Sequence, residues 1–154
     1  MQLTLQVPQR SDYPRLVQVW EDSVRATHDF LGEAYIVVLR DHVLCKYLEA
    51  VELICCRDST QRILGFAGVF NGRVDMLFVT PESHGQGVGK RLLRHAIEEL
   101  GARQLDVNEQ NSKALGFYLH QGFEITGRSE KDGLGQPYPL LHMQLTDTRS
   151  TGEN

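Results

Sequence analysis

The stretch Val74 to Leu100, VDMLFVTPESHGQGVGKRLLRHAIEEL, constrains the fold of this chain more than any other. Val74, Met76 and Phe78 alternate with Asp75, Leu77 and Val79 in a short run rich in β-formers, which predicts a mostly buried strand ended by Pro81. From Val88 onward, Val88, Leu92, Leu93, Ala96, Ile97 and Leu100 recur at spacings of three and four, giving one helical stripe. Lys90, Arg91, Arg94, Glu98 and Glu99 take the polar face. The connection His84 to Gly89 therefore lies at the first turn of a helix, where several N–H groups have no intrahelical partner and the dipole is positive. Gly85, Gly87 and Gly89 let an anion reach the backbone without meeting a Cβ, and Lys90 and Arg91 reinforce the sign. The loop reads as a phosphate cradle.

Two common phosphate loops do not fit it. The dinucleotide pattern G-x-G-x-x-G needs its third glycine where Lys90 stands. The nucleotide P-loop G-x-x-x-x-G-K-[ST] would need glycine at His84 and Ser or Thr at Arg91. The stretch instead resembles the R/Q-x-x-G-x-G/A pyrophosphate loop of the GNAT superfamily of acetyl-CoA-dependent N-acetyltransferases, with His84, Gly87 and Gly89 at the three defined positions. His84 departs from the Arg or Gln usual there. The backbone cradle does not depend on that side chain, so coenzyme A binding is expected to survive, with a pH dependence if the imidazolium meets phosphate.

The rest of the chain supplies a matching framework. Leu3, Leu5 and Val7 alternate with polar residues in a first strand closed by Pro8. A helix follows, capped by Ser11 or Asp12, with Pro14 in its first turn and Leu16, Val17, Trp20 and Val24 inward. Ala26 to Gly32 breaks the pattern, and a second helix runs from about Glu33 to Leu48 on Ile36, Leu39, Val43 and Tyr47. Glu52–Arg57 and Arg62–Phe70 are strands, and Asn71-Gly72 joins the second of them to Arg73–Val79 as a tight hairpin. Gly101 stops the long helix, and Gln104–Val107 is a strand expected to lie parallel to its predecessor across the helical crossover. A short helix through Ala114, Leu115, Tyr118 and Leu119, capped by Asn111 or Ser112, ends at Gly122. Phe123–Arg128 and Leu140–Leu145 form a last antiparallel pair.

This order, βααβββαβαββ, is that of an α/β fold with a mixed sheet of about seven strands flanked by about four helices. The GNAT resemblance covers nearly all of it and tightens over LDVNEQNSKALGFYLHQGF, ATHDFL and GRSEKDGLGQPYPLL, which are most similar to small bacterial acetyltransferases of the YjaB type. One domain is expected over residues 1–145, with 146–154 as a polar, disordered tail. A net charge of -4 argues against a general nucleic-acid binder. Cys45, Cys55 and Cys56 show no metal spacing, and His42, His95, His120 and His142 form no readable set, so no metal is assigned. Free buried thiols, no signal peptide and no membrane-length apolar run point to the cytoplasm.

The resemblance also implies site roles. The pantetheine arm of acetyl-CoA would pair with the backbone of Leu77, Phe78 and Val79, and an N–H among them could polarise the thioester carbonyl. The diphosphate would sit on His84, Gly85, Gln86, Gly87, Val88, Gly89 and Lys90. Asn111 matches a position whose amide often contacts the cofactor, although its spacing also suits a plain helix cap. Tyr118 matches the family's frequent general acid, where spacing by itself would make it a core aromatic; a phenol of pKa near 10 can protonate a departing thiolate. For the base, Asp75 shares a strand face with Arg73, against the reading that it pairs with a cation, and His28 is its rival. Trp20, His28, Phe30 and Tyr138 are the expected lining of the acceptor pocket. The leading expectation is transfer of acetyl to a primary amine of a small molecule or protein by a monomer or homodimer. The alternative is a CoA-binding sensor that has lost turnover.

Overall fold

Among the described residues seven strands carry the fold, and β3 (Ile63–Phe70) shows why its sequence is apolar throughout. Phe66 faces a cluster with Leu16, Trp20, Val24, Ile36 and Met76, while Ala67 faces a second with Ile54, Cys56, Val79, Val88 and Leu92. A strand covered on both faces cannot alternate with polar residues. The computed structural model describes residues 2–146; Met1 and 147–154, with most of the expected tail, lie outside the described residues. The chain forms two compact units that divide between Ala102 and Arg103.

In the first unit, β1 (Thr4–Gln6), β2 (Glu52–Arg57), β3 and β4 (Arg73–Val79) are neighbours in that order, each pair antiparallel. Asn71 and Gly72 both take left-handed conformations, φ 52° and 79°, as a tight hairpin turn between right-twisted strands demands. β3 begins one residue later than the expected Arg62, whose backbone closes the preceding turn by accepting from Asp58 N–H at 3.0 Å. The register of β3 on β4 skips a residue: Gly68 faces Met76 and Val69 faces Val74, leaving Asp75 as the extra residue of a bulge.

α1 (Tyr13–Thr27) carries Pro14 in its first turn, as expected, but neither proposed cap caps it. The Asp12 carboxylate instead turns back to accept from Gln9 N–H at 2.9 Å and pairs with Arg57 at 3.0 Å, which holds the residue below its ordinary pKa. The helix also outlasts the expected break at Ala26, because His28 N–H still donates to the Val24 carbonyl at 2.7 Å. The second predicted helix is realised in three pieces: α2 (Glu33–His42), a π-helical turn over Val43–Tyr47, and α3 (Leu48–Ala50). α4 (Val88–Glu98) buries Val88, Leu92, Leu93 and Ala96 of the predicted stripe; Ile97 is half-buried, and Leu100 lies past the helix end. Cys55 and Cys56 are free and buried, and burial pushes the Cys55 thiol up to about 11; the Cys45 side chain lies outside the described residues.

In the second unit, β5 (Gln104–Asn108), β7 (Leu140–Leu145) and β6 (Phe123–Ser129) are neighbours in that order, again antiparallel. α5 (Ser112–His120) starts at Asn111, whose Oδ1 accepts from Ala114 N–H at 3.2 Å, the expected cap. Leu105, Val107, Phe123, Leu141, Met143 and Leu145 are buried with Tyr118 of α5. Among the described residues no helix is long and apolar enough to cross a membrane.

Gly65 carries a constraint on the first unit that its sequence position does not advertise. A Cβ there would meet the Phe78 carbonyl oxygen at 2.9 Å, Val88 Cγ1 at 3.0 Å and Leu92 Cδ1 at 3.2 Å, so α4 sits on β3 at a distance only glycine permits. Gly65→Ala should destabilise the fold by about 1–3 kcal/mol, the usual range for overpacking, read as a lower urea midpoint at unchanged slope.

Candidate active site

The exit of β4 is anchored before the glycines begin. Thr80 N–H donates to the Leu64 carbonyl at 2.8 Å, and its hydroxyl donates to Ser83 Oγ at 3.0 Å, with both side chains buried. Pro81–Ser83 forms a short 3-10 turn that aims the chain at the start of α4. In the sequence this segment shows only a Pro-marked strand end. The signal it held was the pair of hydroxyls flanking Pro81, which can close a local turn.

Beyond that anchor, Gly85 and Gly87 both adopt left-handed backbone, φ 83° and 86°, and a Cβ on either would meet no atom within 4 Å. Gly87 is the N-cap of α4 with no side-chain cap, and its carbonyl accepts the first helical bond from Arg91 N–H at 3.0 Å. Among the described residues, the N–H groups of Gly85, Gly87, Val88, Gly89 and Lys90 meet no backbone or side-chain acceptor. The turn at the head of α4 thus presents outward-facing amides; Gly89 lies inside α4, where it contributes an amide and small size and not a left-handed turn. His84 does not point forward. Its Nε2 lies 3.2 Å from the Val79 carbonyl, which ties the imidazole back to the end of β4. Lys90, Arg91, Arg94 and His95 line a groove of about 410 Å³ with Leu5, Gly87, Glu98 and Glu99.

The remaining candidates fall in both units. In the first, Leu77 and Phe78 are half-buried and Val79 is buried. Trp20 is a core residue, 4% exposed, and its ring meets Phe78 edge-on at 6.5 Å between centroids. Its side chain therefore supports Phe78 from below instead of lining an open surface. Asp75 is exposed on the bulge and lies 3.6 Å from Arg73 Nε, the cation partner that its position allowed. His28 and Phe30 are brought together, with ring centroids 5.3 Å apart, and His28 Nδ1 lies 2.8 Å from Thr27 Oγ1. In the second unit, Tyr118 is buried against Phe117 and Phe123, at 5.3 and 6.1 Å. Burial raises its phenol well above the ordinary tyrosine range. Asn111 is buried, and Tyr138 is half-buried in the segment before β7.

Burial also lowers the His28 imidazole to about 4, because desolvation of the cation outweighs the favourable charge of Asp29. The unfolded chain takes up this proton from pH about 6.5 downward, the folded chain only near 4, so stability is full above 6.5 and falls as pH drops toward 4. His28→Asn should flatten that fall: the wild-type urea midpoint drops relative to the variant's as pH falls from 6.5 toward 4, and the two run parallel above 6.5.

Comparison with known proteins bears directly on this arrangement. The acetyltransferase (GNAT) domain family matches residues 33–125. The peptidyl-lysine N-acetyltransferase YjaB of Salmonella typhimurium strain LT2 is 39% identical over 143 residues, 93% of this chain and 98% of the relative. The solution structure of apo YjaB from Escherichia coli superposes with a TM-score of 0.85 at 38% identity, covering 95% of this chain and 99% of that one. The fold is also shared with the PaiA N-acetyltransferase of Thermoplasma acidophilum, crystallised in complex with coenzyme A, at a TM-score of 0.69 and 18% identity over 95% of this chain and 100% of that one. The matched domain spans more than half the sequence and the similarity to YjaB nearly all of it: the chain belongs to the GNAT acetyltransferase family.

Proposed function

We propose that this acetyltransferase moves the acetyl group of acetyl-CoA to the side-chain amine of a lysine in a protein or peptide, by direct attack of the amine on the thioester. The observation that carries the reading is the set of amides of Gly85, Gly87, Val88, Gly89 and Lys90 that meet no acceptor among the described residues, held by two left-handed glycines at the N-terminus of α4. Such a set binds a diphosphate through backbone donors and the helix dipole, whatever the residue at position 84. His84, turned toward Val79, leaves that space clear. The choice of a peptidyl lysine is supported by the activity named for the YjaB relative.

In this mechanism the backbone of Leu77, Phe78 and Val79 receives the pantetheine arm, and an N–H of that strand polarises the thioester carbonyl. Asn111 adds an amide contact to the cofactor while it caps α5. Tyr118 is the acid. Burial raises its pKa, which keeps the phenol protonated before the acyl step and rules it out as a base, while making it a weaker acid than a solvated phenol. Neither candidate base is well tuned. His28 is neutral down to about pH 4, and a group that weakly basic does not take a proton from an ammonium of pKa about 10.4. Asp75 is held by Arg73. The amine therefore reaches the site already neutral, having lost its proton to solvent, and His28, Phe30 and Tyr138 contribute polarity and shape to the acceptor region.

Calorimetric titration with coenzyme A tests the cradle, and mass spectrometry of lysine peptides incubated with acetyl-CoA tests turnover; absence of binding removes the proposal, and binding without turnover replaces it with a sensor. Tyr118→Phe should bind coenzyme A as wild type does and lose about 10²- to 10⁴-fold in rate. With amine deprotonation left to solvent, kcat/KM for a lysine peptide should keep rising with pH toward the lysine pKa near 10.4, and a profile already flat across the neutral range would instead assign a base on the protein.

A further inference from the structure

On the face of the second unit away from its buried side chains, three residues from three strands form a continuous hydrogen-bonded line. Asp106 of β5 stands opposite His142 of β7 in register, and Asp106 Oδ1 lies 2.7 Å from His142 Nδ1. Ser129 of β6 lies on the diagonal, with Oγ 2.7 Å from His142 Nε2. The pleat explains the shared face: Leu105, Val107, Leu141 and Met143 point inward, so Asp106 and His142 point the other way. Two features of β6 seat the ring. Its register on β7 skips Thr126, and Gly127, opposite His142, leaves the imidazole room; a Cβ there would lie 3.3 Å from His142 Cδ2. The site remains accessible, with the Asp106 side chain 25% and the His142 side chain 37% exposed.

Proton roles follow from the donor inventory. An ionised carboxylate only accepts, so Nδ1–H of the neutral imidazole donates to Asp106. That fixes Nε2 as the acceptor, and the Ser129 hydroxyl donates to it. A hydroxyl on an imidazole oriented by a carboxylate is the arrangement that makes serine a nucleophile, recognised by geometry and roles and not by chain order.

We propose that Ser129 is an acyl-accepting nucleophile with His142 as its base and Asp106 as the residue that orients His142, giving this chain an O-acylation site for short activated acyl esters and thioesters. Ser129 Oγ forms a bond to the acyl carbonyl carbon as its proton passes to His142 Nε2. The bond from that carbon to the leaving oxygen or sulfur then breaks, and the leaving group departs with the proton returned by His142. The product is an acetyl ester on Ser129 and a free alcohol, phenol or thiol. The proposal does not rest on coenzyme A binding.

The test uses p-nitrophenyl acetate, a donor without coenzyme, with peptide mapping by mass spectrometry. The expected result is one acetyl group on the wild-type peptide containing Ser129, formed more slowly in deuterium oxide because a proton moves in the step. Ser129→Ala should lose the label, and His142→Gln and Asp106→Asn should slow it by about 10²-fold or more, the first lacking the base and the second reversing the tautomer. Circular dichroism of each variant checks that it is folded. Wild-type label confined to lysines, or a Ser129 label formed at the same rate in folded His142→Gln, overturns the proposal and leaves a structural hydrogen-bond line. Because the donor carries no diphosphate, either result is independent of the cradle at Gly85–Lys90.

Discussion

The close seating of α4 on β3 at Gly65 is the constraint on which the first unit turns. With Val88 and Leu92 pressed to the strand backbone, the start of the helix has one position relative to the end of β4. The buried Thr80–Ser83 pair and the Thr80–Leu64 bond fix the other end of the same loop. A loop held at both ends can keep its amides pointing outward without a ligand present, and such preorganisation lowers the ordering cost of binding an anion. The glycines supply the conformation; the packing beneath them supplies the aim.

Leaving several amides unpaired would be costly in an interior, but at a solvated helix N-terminus water satisfies them until a ligand does. The same logic makes His84 informative. A cationic side chain at that position would add charge to the cradle, whereas an imidazole bonded to Val79 becomes part of the β4 terminus. Positive charge near the helix start then comes from the backbone donors and from Lys90, Arg91 and Arg94, which line the adjoining groove.

Register irregularities decide where the chemistry-bearing side chains go. Asp75 is the extra residue of the β4 bulge, which sets it beside Arg73. Skipping Thr126 in β6 brings Gly127, not a side chain, beneath the His142 ring and lets the imidazole reach Ser129. A bulge shifts the alternation of every residue after it, so faces assigned by simple period-two counting change there. Helix ends tell the same story on a smaller scale: Asn111 caps α5 as its type and position indicate, while Asp12 leaves α1 uncapped because Gln9 and Arg57 compete for its carboxylate.

The sequence by itself determined the order of strands and helices, the Asn71-Gly72 hairpin, the buried stripe of α4 and the glycine-lined turn at its head. Each of these is written in neighbouring residues, through periodicity, turn chemistry or capping, and the family resemblance ran through the same local signals. Tertiary structure alone decided that Gly65 is a packing contact, that Trp20 supports Phe78 in a core, and that burial lowers the His28 imidazole. It alone also joined Asp106, Ser129 and His142, which are 36 and 13 positions apart along the two hydrogen bonds that link them. Contacts of that kind depend on strand register and on the side chains that surround a group, and neither is encoded in the spacing of residues along the chain.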